Sequence, residues 1–332
     1  MKTNTVYVKT CSFVYRAAFA AILATSGIAH AQTTITWDGG PSGTGTSLSI
    51  AENWTTDTLP TGSTVGIINT SIVTSLPTLS INTDLTSYNI QQDAGTVLRS
   101  TSQAFTSTTY TLNAGVFTNS QAITYTNTTF NVNGGELTFG NNRNFQGGAG
   151  TNIVNVSGGS LTLQGTGSIL GNNSGNSTYD LNISGGTVSS GVTGRLSLAR
   201  ATERATITGG TSTFGTGVNS ISNGARLTFG LGNGTVSFAA APTISGASFI
   251  DFLTGSGGAL TITGFTSTNY ASWWDSGFLR FNGVAGSSGG FNSSDFVVTD
   301  STLSLVPEPS TWALLAVSLT TLAIFRRRLR RN

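Results

Sequence analysis

Between Gln32 and Leu305 the chain has no histidine, cysteine or lysine; His30, Cys11, Lys2 and Lys9, the only residues of these types, all precede Gln32. That span therefore offers no Ser–His–Asp site, thiol nucleophile or Schiff base, and general-base chemistry falls to its carboxylates. Paired carboxylates cleave glycosidic bonds. Here Asp84, Asp93, Glu136, Asp180, Glu203, Asp251 and Asp275 stand singly, with no shared short motif. Calcium loops of the Gly-Gly-x-Gly-x-Asp type, EF-hand spacing and zinc clusters are missing from the sequence as well. Gly230-Leu231-Gly232-Asn233-Gly234 follows a strand-like run but opens no helix, so it is no nucleotide loop. The expectation is a non-enzyme with no cofactor and no metal site. The best binding candidate is Trp273-Trp274, whose ring faces suit stacking on sugars but equally suit packing at the end of a fold. Thr206-Ile207-Thr208 and Thr261-Ile262-Thr263 are threonine pairs of the kind that could match an ice lattice on a flat face, although threonine also simply favours strands.

The elements that carry these residues are repeats. Alternating apolar and polar residues flank a small-residue pair in Tyr110–Phe117, Phe130–Phe139, Val154–Leu163, Leu181–Val188 and Ala205–Phe214. The pairs are Ala114-Gly115, Gly134-Gly135, Gly158-Gly159, Gly185-Gly186 and Gly209-Gly210, a recurrence with a period in the twenties. Period-two alternation puts Val, Ile, Leu and Phe on one side of a strand and Asn, Ser and Thr on the other. Glycine supplies the positive φ that turns the corner. One such unit cannot bury its own apolar side, so a period of this size predicts a stack. The expected fold is an all-β parallel β-solenoid, with an antiparallel β-sandwich or jelly roll as the alternative. Within 32–305, residues 33–100 are read as N-terminal cap and first coils, 101–215 as the clearest repeats, and 216–305 as last coils and C-terminal cap. Trp37-Asp38-Gly39-Gly40 and Asn53-Trp54 would cover the open first end.

The two ends read as export signals. Residues 1–31 have a positive start (Lys2, Lys9, Arg16), a small-residue apolar stretch from Ala17 to Ile28, and Ala29-His30-Ala31 as an A-x-A cleavage site before Gln32. With both ends set aside, seven arginines face twelve carboxylates, a balance of −5 that disfavours nucleic acid. At the other end stand the motif Val306-Pro307-Glu308-Pro309-Ser310, an uncharged run over 311–325, and Arg326, Arg327, Arg328, Arg330 and Arg331 in the tail 326–332. The prolines hold Glu308 in an extended stretch. As a helix, Ser310 to Phe325 spans about 24 Å against a hydrocarbon core of about 30 Å, a gap that snorkelling arginines can close. The positive-inside rule places that tail in the cytoplasm.

This order of parts closely resembles the PEP-CTERM sorting signal of exported bacterial proteins, over residues 306–331. One departure is Ser318, where many members carry glycine. The resemblance implies recognition by an exosortase, after delivery through the Sec translocon and cleavage by signal peptidase. It also implies transient anchoring by one transmembrane helix and a destination at the cell surface or outside it, in association with exopolysaccharide or the envelope. The Trp–Gly–Gly opening and the Gly-Gly repeats are similar to autotransporter-type repeats, and that likeness implies a right-handed β-helix. The body is then expected to be structural or adhesive, with a carbohydrate-binding or polysaccharide-cleaving β-helix as the alternative and ice binding as a minor one.

Overall fold

The spacing of the small-residue pairs is the spacing of the coils. The computed structural model describes residues 32–306 except 74, 122, 141–144, 167, 172–176 and 287–294, and in it strands one repeat apart pair in parallel. Val116 lies opposite Glu136, Glu136 opposite Ser160, Ser160 opposite Thr187 and Thr187 opposite Thr211, the same steps that separate the corner glycines in the sequence. The chain is all-β and winds through about 8 turns of a β-solenoid. Parallel pairing from coil to coil rules out the antiparallel sandwich.

Each coil has three sides. The first belongs to an eight-stranded sheet running from Leu85–Thr86 to Thr243–Ile244, one short strand per coil. The second runs through Asn89–Gln92, Thr109–Leu112 and Thr129–Val132, and onward to Arg226–Phe229 and Phe249–Phe252. The third follows the small-residue corner, as in Thr96–Arg99, Val116–Asn119, Glu136–Phe139 and Ser160–Leu163. In two coils the second and third sides are one continuous strand, Ser177–Ser190 and Glu203–Phe214.

The corner glycines are dictated by the stack as well as by the turn. Gly159 has φ +58°, and a Cβ there would sit 2.2 Å from the carbonyl oxygen of Gly134 in the coil before. The close approach lets the Ser160 N–H donate to the Gly135 carbonyl at 2.9 Å, so the ladder continues round the bend.

Inward residues form one core along the axis: Phe130 and Val132, then Val154 and Val156, then Leu181 and Ile183, with Leu227, Phe229, Ile250 and Phe252 further on. Phe130 meets Phe105, Tyr110, Tyr125 and Phe145 at ring separations of 5.6, 6.3, 5.6 and 5.1 Å, in the tilted and edge-to-face arrangements that aromatic quadrupoles favour. Several inward positions break the pattern, Gln92, Arg99 and Asn119 among them: Gln92 accepts the Tyr110 hydroxyl at 2.7 Å, and Arg99 donates to Asn119 Oδ1 at 2.7 Å. Desolvation pulls the Arg99 guanidinium down to about 10, with Asp84 opposing the shift.

The ends differ from the middle. Thr34–Thr36 extends the second side in parallel with Val65–Ile68, and Trp37 bridges Trp54, both rings fully buried. At the far end the helix α1, Ser267–Asp275, opens on a capping box between Thr266 and Asn269. The aromatic doublet Trp273-Trp274 thus sits in a helix. The last residues of the stretch read as C-terminal cap form the strand Thr302–Leu305; it turns back antiparallel onto Ala259–Thr261 and onto Phe296–Thr299.

Candidate functional site

The outward residues line up in columns, because a parallel register repeats the same side-chain position in every coil. On the second side one column runs Gln91, Thr111, Asn131, Asn155, Asn182, Thr206, Thr228, Asp251, Arg280. Its middle is an amide ladder: Asn182 Nδ2 donates to Asn155 Oδ1 at 2.9 Å and Asn155 Nδ2 to Asn131 Oδ1 at 2.8 Å. On the third side a hydroxyl column runs Thr118, Thr138, Thr162, Ser189, Thr213, Ser237, Thr261, Thr302. The threonine pairs singled out in the sequence do not share a row: Thr206 belongs to the second side, while Thr261 lies on the third and is hydrogen-bonded to Thr302 at 2.8 Å.

The two tryptophans of α1 divide their roles. Trp274 is 7% exposed, set edge-to-face on Phe296 at 5.6 Å, with Gly286 against its indole edge. Trp273 is half-buried and packs edge-to-face on Phe265 at 4.8 Å. Consecutive helical positions cannot face one ligand together, so Trp273 alone has ring surface to offer.

The carboxylates are spread along the stack. Glu203 is fully buried and its carboxylate accepts the Ala199 N–H, whereas Asp180 is half-buried beside Arg204. Tyr179 is the register partner of Glu203 and Asp180 that of Arg204, so these two carboxylates point to opposite sides of the sheet. Burial raises the Asp180 carboxyl above its ordinary value and Arg204 opposes the rise. Burial also raises Asp251, against the Gly283 N–H, which donates to it at 2.9 Å, and the cations Arg280 and Arg226. Arg280 and Arg226 lie over the Phe249 ring at 3.8 and 5.2 Å.

The charged corner is where the first side meets the second. Residues 199–202 make that corner in one coil, with Ser177 and Thr178 in the coil before and Asn223 in the coil after; together they line a cavity of about 750 Å³. Thr202 Oγ1 donates to the Ser177 carbonyl at 2.7 Å and Asn223 Nδ2 to the Ala199 carbonyl at 3.1 Å, so side chains tie the three coils together there. Arg200 lines the cavity, and Arg204 and Arg226, register partners on the adjoining second side, are exposed.

No family model, curated protein or solved structure matches the chain.

The export residues are placed only at their inner borders. Gln32 is exposed, and Val306 is at the surface with its N–H donating to the Asp295 carbonyl at 2.9 Å. Ala29, Ala31, Pro307, Glu308, Pro309, the run 311–325 and the tail arginines Arg326, Arg327, Arg328, Arg330 and Arg331 lie outside the described residues. Among the described residues no helix is long and apolar enough to cross a membrane, and no cluster of three or more His, Cys, Asp or Glu forms. Sequence reasoning missed the arginine corner, because Arg200, Arg204 and Arg226 share no motif and Arg226 comes beside Arg204 only through the coil register. It also missed the columns, whose signal was present: each member is a fixed step from a corner glycine.

Proposed function

We propose that this chain is an exported bacterial surface protein, a right-handed β-solenoid with a structural or adhesive role in the exopolysaccharide or envelope layer. The observation that carries the reading is the uniform outer surface. Coil after coil presents hydroxyls and amides in axial columns, while the body has no histidine, cysteine or lysine and its carboxylates stand singly in the sequence. Such a surface hydrogen-bonds polyhydroxylated neighbours at many equivalent points without a single catalytic centre. Right-handed winding accords with the strong preference of parallel crossovers for that hand.

Delivery follows the ends of the sequence. Signal peptidase releases the body at Gln32 after Sec export. The run 311–325 holds the protein in the inner membrane with its arginines on the cytoplasmic side. An exosortase then acts at Val306-Pro307-Glu308-Pro309. Cell fractionation with C-terminal mass spectrometry tests this on wild type and Glu308→Ala. The expected result is a released form ending between Pro307 and Ser310 in the wild type and retention of the tail in the variant. A full-length tail in both reduces the end to a plain membrane anchor.

One observation favours a carbohydrate-binding role in particular: Trp273 keeps ring surface at the end of the stack. Glycan-array binding that disappears in Trp273→Ala would place recognition there.

A further inference from the structure

We infer that the corner holding Arg200, flanked by Arg204 and Arg226 on the adjoining second side, binds an acidic polysaccharide, a chain of carboxylate-bearing sugars. The inference rests on the glycan-associated reading above and narrows it to one chemical class and one place.

Three observations carry it. First, the cavity has the functional groups for a sugar acid: hydroxyls from Thr178 and Thr202, the Asn223 amide, and the Arg200 guanidinium. Among the described residues Arg200 forms no side-chain hydrogen bond or ion pair, so its fork of donors is open to a carboxylate. Second, Arg204 and Arg226 are stacked one coil apart, about 4.8 Å along the axis, an arrangement of like charges that an anion relieves. Asp180 beside Arg204 and the buried Asp251 near Arg226 offset the pair in part. Third, the corner is a local exception to the charge of the body. Residues 32–194 hold two arginines and seven carboxylates, whereas 195–286 hold five arginines and three carboxylates. Of those three, Glu203 and Asp251 are buried. A polyanion is thus repelled by most of the solenoid and drawn to this stretch, which gives selection for position as well as for charge.

The test uses the purified full-length chain and two polymers, polygalacturonate and neutral dextran, by affinity electrophoresis. Polygalacturonate is expected to retard the wild type, with retardation falling as salt rises. Arg200→Gln is expected to weaken it about tenfold and Arg226→Gln about threefold, as losses of one direct and one flanking charged contact. Melting temperatures should match the wild type, and Asp57→Asn, at an exposed site far along the chain, should leave retardation unchanged. Equal retardation of wild type and Arg200→Gln by polygalacturonate overturns the inference. Equal binding of dextran and polygalacturonate, untouched by Arg200→Gln, overturns it while leaving the glycan-associated reading in place. Retardation by neither polymer removes both. Release by inorganic phosphate as readily as by galacturonate makes the corner a general oxyanion site and overturns the assignment to sugar acids.

Discussion

The early coils and the late coils are built on the same register and differ in what they do with spare residues. Asn89, Thr109 and Thr129 stand opposite one another in successive early turns, which are the short ones. The corner between first and second sides there is a tight pair, Ser107-Thr108 or Asn127-Thr128. Each threonine is buried, and its hydroxyl donates to backbone carbonyls such as those of Leu85 and Phe105. Later turns take more chain: Arg204 faces Arg226, Arg226 faces Phe249, and Ile250 faces Leu279 only after the detour through α1. The extra length goes into corners: 199–202 replaces a tight pair, and Val192, Val218 and Leu231 project from others with 66–79% of their surface exposed. The cores differ too. The early stack mixes Phe with Tyr110, Tyr125 and Tyr179, while the late one uses stacked phenylalanines, Phe229 on Phe252 at 4.4 Å and 12°. The sheet sides hold the stack together, and the corners are free to acquire chemistry.

The strongest way to break this division is to alter a tight corner. Gly159→Val places a side chain where φ is +58° and the Gly134 oxygen is 2.2 Å from its Cβ. We expect a loss of about 4 kcal/mol or more, read by thermal or urea unfolding. Gly264→Val, at φ +79° with nothing within 4 Å, should cost only about 1–2 kcal/mol. Comparable losses in the two would mean that stacking adds nothing at Gly159.

Alkali separates the two cores. Burial raises the phenols of Tyr110, Tyr125 and Tyr179 above their ordinary value. A raised folded value means the unfolded chain releases its protons first, so their contribution is intact below pH about 10 and is lost as pH climbs beyond it. Each contributes a slope of up to about 1.4 kcal/mol per pH unit. Unfolding measured from pH 9 to 11.5 should steepen accordingly, and Tyr125→Phe should flatten it by one tyrosine's share. An unchanged slope would show that this phenol ionises in the folded state. The phenylalanine-stacked coils have no such term in their ring pairs, so hydrogen exchange at high pH should rise first in residues 105–190.

The smallest effect sharpens the corner comparison. Thr128→Ala removes a buried hydroxyl with two carbonyl contacts, at 3.2 and 3.0 Å, and should cost about 1 kcal/mol in the same unfolding assay. The matching change in the wide corner, Thr202→Ala, loses one contact at a less buried position and should cost less. A reversed order would put the wide corner, not the tight one, among the structural elements.

What could be read from the sequence was the register. Glycine pairs and alternation are local signals, and Gly135, Gly159, Gly186 and Gly210 all take the positive φ that their spacing implied. The first side was harder to see, because strands such as Leu85–Thr86 and Ser220–Ile221 are too short to show alternation. Gln92, Arg99 and Asn119 were read past for the opposite reason: a polar side chain at an inward position breaks the pattern that marks inward positions. Helix α1 is hard to read because its aromatics favour strands and only the Thr266–Asn269 capping pair marks a helix. The arginine corner joins residues from successive coils, and no linear reading aligns them until the length of each turn is known.

The register also governs time. In the coils each strand finds its partner one turn back along the chain, so each new turn closes a loop of similar, modest length. No turn waits for a distant part of the sequence, and the contacts that limit folding are those of one coil docking on the last. A chain delivered from its N-terminal end can therefore lay down turns in the order in which they arrive. The antiparallel return of Thr302–Leu305 onto Ala259–Thr261 ends the series on the third side, so that strand is the step that closes its parallel edge.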